Sequence, residues 1–109
     1  MEKYQIRLTD YTLEQMSEIT AYISHTLHAS DSAKNLQQLI KKEMSSFSSM
    51  PKRMALIEEE PWHSEGIRKT QVKNFYLYYW VDEEHKTVWF IAVIYARRNQ
   101  IDELRKITI

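Results

Sequence analysis

The sequence predicts an α+β domain: an N-terminal strand, an antiparallel helical hairpin, a three-stranded antiparallel meander and a short C-terminal tail. Three observations carry this prediction. Residues 66–98 read G-I-R-K-T-Q-V-K-N-F-Y-L-Y-Y-W-V-D-E-E-H-K-T-V-W-F-I-A-V-I-Y-A-R-R, three apolar, β-branched and aromatic runs broken by Lys73-Asn74 and by Asp82-Glu83-Glu84-His85-Lys86, as suits strands of a half-buried sheet. Two apolar stripes at helical spacing precede them. A chain of 109 residues makes one domain with a single core, spanning residues 1–109.

Taken in order, Tyr4, Ile6 and Leu8 alternate with Gln5 and Arg7, the period of a short strand. Thr12-x-x-Gln15 has the form of a capping box, and Leu13, Met16, Ile19, Ile23 and Leu27 follow as one helical stripe. His28 to Asp31 break it, and Ser30, Asp31 and Ser32 offer caps for a second helix. Its stripe is Ala33, Leu36, Ile40, Met44 and Phe47, with Leu39 alongside, and Pro51 ends it. So short a break between two helices of about four turns makes a hairpin laid across the sheet.

Residues from Pro51 to Glu65 show the least pattern and read as a loop held by Met54, Leu56, Ile57 and a Pro61-Trp62 anchor. The only glycine, Gly66, opens the first meander strand. In the next strand strict alternation puts Phe75, Leu77, Tyr79 and Val81 on one face and Tyr76, Tyr78 and Trp80 on the other. In the last strand it puts Val88, Phe90, Ala92 and Ile94 opposite Trp89, Ile91, Val93 and Tyr95. A strand apolar on both faces is covered on both, and the hairpin covers one. The tail, through Ile101, Leu104 and Ile107, or a partner protein must cover the other.

Composition excludes several classes. There is no cysteine, hence no disulfide, thiolate metal site or cysteine nucleophile. His25 and His28, three apart on a helix with no third ligand, make a solvated helix end rather than a metal site. No metal or cofactor is expected. No apolar run approaches the ~20 residues of a membrane span, and M-E-K-Y-Q-I-R is no signal peptide, so a cytoplasmic protein is expected. Net charge is zero, which argues against non-specific nucleic-acid binding.

The order of elements, with Gly66-x-Arg68, Asn74-Phe75-x-Leu77-x-Tyr79-x-Val81 and Val88-x-x-Ile91-x-x-Ile94-Tyr95-x-Arg97-Arg98-Asn99, resembles the RelE/ParE superfamily of toxins from bacterial type II toxin–antitoxin systems. The likeness runs from about residue 4 to 104. It departs from the family pattern at Phe75, Tyr76, Tyr95 and Asn99, where many relatives carry Tyr, Arg, His and Asp. The resemblance implies a growth-arresting toxin of plasmid-stabilisation type with a cognate antitoxin as partner. Its target is either DNA gyrase, inhibited by binding as in the ParE branch, or ribosome-bound mRNA, cut as in the RelE branch.

Cleavage by a 2′-hydroxyl needs proton-transfer groups and fixed cations at the phosphate. The candidates for it are Arg68, Tyr95, Arg97, Arg98 and His63. The set is short, because Gln71 occupies the position where RelE-like toxins resemble one another in carrying Arg, and residues 101–109 hold neither His nor Tyr. The ParE-like, non-catalytic mode is therefore favoured, the alternatives being the mRNA endonuclease and a non-toxic interaction module of the same fold. For target binding the candidates are Arg68, Lys69, Lys73, Arg97 and Arg98. For antitoxin binding they are Tyr76, Tyr78, Trp80, Trp89 and Tyr95, large surfaces for a partner segment that folds on docking. Against these stand quieter roles: Arg68 paired with Glu58–Glu60, the arginine pair anchoring the tail through Asp102 or Glu103, and the aromatics packed in the core.

Overall fold

A computed structural model describes residues 3–107. Strand β1 (Gln5–Leu8) leads into helix α1 (Asp10–Ala21), which runs on through a π-helical turn (Tyr22–Thr26) before helix α2 (Ser30–Ser46) returns. A 3-10 turn (Pro51–Arg53) and an irregular loop precede strands β2 (Ile67–Val72), β3 (Phe75–Asp82) and β4 (Thr87–Tyr95). The chain closes with helix α3 (Gln100–Arg105), so the expected tail is a helix, with Asn99 accepting from the Asp102 amide at its start. The sheet order is β1-β4-β3-β2, and β1 joins parallel to β4 while the meander is antiparallel. No described helix is long and apolar enough to cross a membrane.

Strict alternation fails in β4. Tyr78 pairs with Ala92 but Tyr79 with Phe90, so Ile91 is an extra residue in a β-bulge. Ile91 and Ala92 consequently share a face, and every residue beyond them swaps sides. Val88, Phe90 and Val93 face the helical hairpin, whereas Ile91, Ala92 and Ile94 face the opposite layer. The expected division of β4 is thus corrected at Ala92, Ile94, Val93 and Tyr95, and Tyr95 pairs with Phe75 on the hairpin side, their rings 5.6 Å apart.

The hairpin layer is built on the predicted α2 stripe. Ala33, Ile40, Met44 and Phe47 are buried, and Leu36 is half-buried. Phe47 is its hub: its ring lies 4.6 Å from Tyr79 and 5.9 Å from Phe90, with the Arg53 guanidinium 3.7 Å above it. The α1 stripe is narrower than periodicity indicates, since Leu13 and Leu27 are more than half exposed. The capping box is replaced by something stronger. Thr9 caps the helix, which frees Thr12 to donate to the Phe90 carbonyl at 2.8 Å and Gln15 to accept from the Val93 amide at 2.9 Å. Thr12 thereby adds a second donor to the Phe90 carbonyl, which already accepts from the Thr9 amide at 3.1 Å, and Gln15 satisfies the Val93 amide beyond the end of β1. Nor does a Ser or Asp cap α2, whose first residue follows Ala29.

The second face is covered by the chain itself. Ile57 and Trp62 from the loop and Leu104 from α3 bury against Ile67, Tyr78, Ile91, Ala92 and Ile94, flanked by Ile101 and Ile107. Trp62 is the predicted anchor, although Pro61 beside it is exposed. Gly66 turns the loop into β2 at φ 84°, where its bare Cα lies under the Trp80 ring.

At the end of the sheet formed by the β3–β4 turn, Glu83 gathers three donors: Lys52 at 2.9 Å, the Tyr4 hydroxyl at 2.8 Å and Lys86 at 3.4 Å. The Lys52 and Tyr4 hydrogen bonds lower its carboxyl to about 2, outweighing desolvation. This ties the start of β1 and the 3-10 turn to the β3–β4 turn. Because the folded value lies below the ordinary 4.5, the contribution is present above that pH and disappears as pH falls toward 2. Glu83→Gln is therefore expected to lower the urea midpoint at neutral pH, the two proteins converging near pH 2; parallel curves across the acid range count against the tether.

Candidate functional site

The opposite end of the sheet carries the arginine pair. There the two-residue β2–β3 turn abuts the end of β4, the Ala96 amide donating to the Asn74 carbonyl at 2.7 Å. Lys73 and Arg97 thus stand on adjoining turns, both exposed and neither side chain with a hydrogen-bond or ion-pair partner among the described residues. Lys73 holds φ 53°, a left-handed conformation that costs a lysine roughly 1 kcal/mol and suits glycine or asparagine better.

The neighbouring cations are committed internally. Arg98 pairs with Glu103 at 3.1 Å, and Lys106 holds the other oxygen of the same carboxylate. These contacts, the Lys106 hydrogen bond first, keep the Glu103 carboxyl below its ordinary value against desolvation. Arg68 donates to the Met54 and Lys52 carbonyls and so pins the loop to β2, with no contact to Glu58–Glu60. Lys69 rests 4.4 Å from the centre of the Tyr76 ring.

The five aromatics named as one partner surface do not share a face. Tyr78 is 1% exposed, its hydroxyl donating to Gln100 Oε1 at 2.9 Å, and burial pushes that hydroxyl far above the ordinary tyrosine range. Tyr95 lies on the hairpin side, as the bulge requires. Tyr76 and Trp89 are half-buried at the borders of the second-face cluster, and Trp80 alone is exposed, at 38%. The correction is physical: α3 and the 54–66 loop, not a partner, occupy the middle of that face.

Gln100 is the residue sequence reasoning missed. Besides accepting from Tyr78, its amide nitrogen donates to the Tyr95 and Arg98 carbonyls, each at 2.9 Å, and so shapes the turn that presents Arg97. Only its place between strand and tail marked it, since one glutamine carries no periodic signal.

The proton-transfer candidates are scattered. His63 sits in the loop before β2, its Nδ1 2.9 Å from the Ile57 carbonyl, near the end where Ile67 pairs with Trp80. Tyr95 lies beside Phe75, which pairs with Val72 at the far end of β2, a strand length of roughly 16 Å away. A shallow recess of about 320 Å³ lined by Tyr4, Met50, Lys52 and Glu83 lies at the Glu83 end, away from Arg97. Lys73 and Arg97 offer two exposed cations on adjoining turns, chemistry suited to an anionic or carboxylate-bearing group.

A four-stranded sheet with this order, a helical hairpin on one face and a basic turn after the last strand make up the fold that the resemblance to the RelE/ParE superfamily implies. Within it, the model for the ParE toxin of the type II toxin–antitoxin system parDE matches residues 6–100, and the chain belongs to that family. The fold is similar to that in the chromosomal ParDE system of P. aeruginosa, with a TM-score of 0.71 at 14% identity over 87% of this chain and 98% of that one. It is also similar to a mutant of the E. coli toxin RelE in the free state, with a TM-score of 0.66 at 14% identity over 97% and 99%. The RelBE2 toxin–antitoxin complex of Mycobacterium tuberculosis aligns with a TM-score of 0.63 at 19% identity over 87% and 93%. Comparison with curated protein sequences finds no match.

The division of labour at this end is measurable by urea unfolding. Gln100→Ala strips the buried Tyr78 hydroxyl of its acceptor and is expected to cost about 1–3 kcal/mol. Arg97→Ala should change stability by less than ~0.5 kcal/mol. Equal losses would mean that Arg97 also supports the fold.

Proposed function

We propose that this chain is the growth-arresting member of a toxin–antitoxin pair, that it acts in the cytoplasm by binding and inhibiting DNA gyrase without breaking a bond in its target, and that a cognate antitoxin neutralises it. One observation carries the choice of mode: the exposed cations Lys73 and Arg97 gather on adjoining turns, while the groups that would exchange protons in RNA cleavage, His63 and Tyr95, stand at opposite ends of the sheet. Binding needs the first arrangement and cleavage needs the second reversed. Membership of the ParE toxin family points the same way.

An antitoxin fits the remaining exposed surface. Trp80, Tyr76 and Trp89 leave a rim of half-covered aromatic area beside the α3 layer, and the neighbours of this fold include a RelBE2 toxin–antitoxin complex. The partner contributes a segment that orders on docking.

Induced expression is expected to arrest growth, and the purified protein to abolish supercoiling by gyrase while leaving mRNA intact in a translation extract. Arg97→Ala and Lys73→Ala should each reduce inhibition at least tenfold without loss of fold, whereas Arg68→Ala should act through stability. Ribosome-dependent cleavage with normal supercoiling would replace this reading by the endonuclease, and unimpeded growth would replace it by an inert module.

A further inference from the structure

The helical hairpin is divided by charge. No lysine or arginine lies between Arg7 and Lys34, so the charge of α1 comes from Asp10, Glu14 and Glu18, one turn apart on a single face. On α2 Lys34 and Lys41 lie seven residues apart on one flank and Lys42 about 100° further round, with the carboxylate Asp31 in the first turn. The three α1 carboxylates and the three lysines are exposed, and none of their charged groups has a hydrogen-bond or ion-pair partner among the described residues. Glu43 of α2 accepts from the Thr70 hydroxyl at 2.6 Å on the flank toward β2. Carboxylates at i, i+4 repel by a few tenths of a kcal/mol per pair, and none of the three on α1 makes an ion pair among the described residues.

A surface bearing an acidic row beside a basic row complements itself. We propose that the hairpin docks on the hairpin of a second copy of this chain, α1 of each against α2 of the other, independently of the surface assigned to the toxin's target. A twofold axis running along the hairpin between its helices makes this match, and only an isologous contact of that kind satisfies both rows at once. The levels agree. Ser24 and Ser30 hydroxyls meet at 3.1 Å where the hairpin turns, and counting down both helices from there brings Glu14 to within about one turn of Lys41 and Lys42. Leu13, 51% exposed within the acidic row, adds an apolar contact. Two helices about 25 Å long give a contact at the small end of specific interfaces, so the dimer is a salt-sensitive one of micromolar strength.

Sedimentation velocity of the full chain at about 50 mM and 500 mM salt tests this. A dimer is expected at low salt and monomer at high salt. Glu14→Lys with Glu18→Lys should be monomeric at both, as should Lys41→Glu with Lys42→Glu. An equimolar mixture of these two variants should recover the dimer, because α1 of each variant then meets an α2 of opposite charge in the other. Circular dichroism establishes that both remain folded, as substitutions at exposed positions should. A wild type monomeric at ~100 µM in low salt overturns the proposal, as does a dimer indifferent to the reversals or a mixture that stays monomeric. Gyrase inhibition by the reversed variants is expected to match wild type, so loss of the dimer and failure of the target assignment are told apart.

Discussion

The hydrogen bond from the Thr12 hydroxyl to the Phe90 carbonyl marks the point on which this fold turns. There β1 has ended, β4 continues, and the bulge at Ile91 interrupts the ladder with β3. Backbone left without strand partners at this depth must be satisfied by something. Helix α1 does so with Gln15 at Val93, while Thr12 joins the Thr9 amide at the Phe90 carbonyl, and the two contacts fix how the hairpin lies across the sheet. The bulge also lets β4 present aliphatic groups to two different layers within a few residues.

From that point the two layers follow. Phe47, Tyr79 and Phe90 pack beneath the hairpin, while Tyr78, Ile94 and Leu104 pack beneath α3. Because the chain spends α3 on its own second face, Arg98 and Gln100 are drawn into holding that helix. Arg97, one residue earlier, is left outside. Adjacent arginines therefore have different duties, decided by which side of the turn each occupies.

The fold's helices and strands are periodic features, and a sequence displays periodic features well. The α2 stripe, the three meander runs, the Trp62 anchor and the hairpin were all legible, as was the likeness carried by Gly66-x-Arg68 and Arg97-Arg98-Asn99. What escaped were contacts with no period. Gln15 has the spacing of a cap and serves instead as a strand's missing acceptor. Gln100 sits in what reads as a tail. Neither partner is near in sequence, so no local rule announces them.

By itself, then, the sequence determined the class of fold, the number and order of elements before the tail, and the family, because each rests on side-chain spacing along a single segment. Only the tertiary structure decided that β1 runs parallel to β4, that Ile91 and Ala92 share a face, that Tyr78 is sealed, and that Arg97, unlike Arg68 and Arg98, has no partner among the described residues. Those outcomes depend on where backbone groups from distant segments find partners, a balance settled when the layers close.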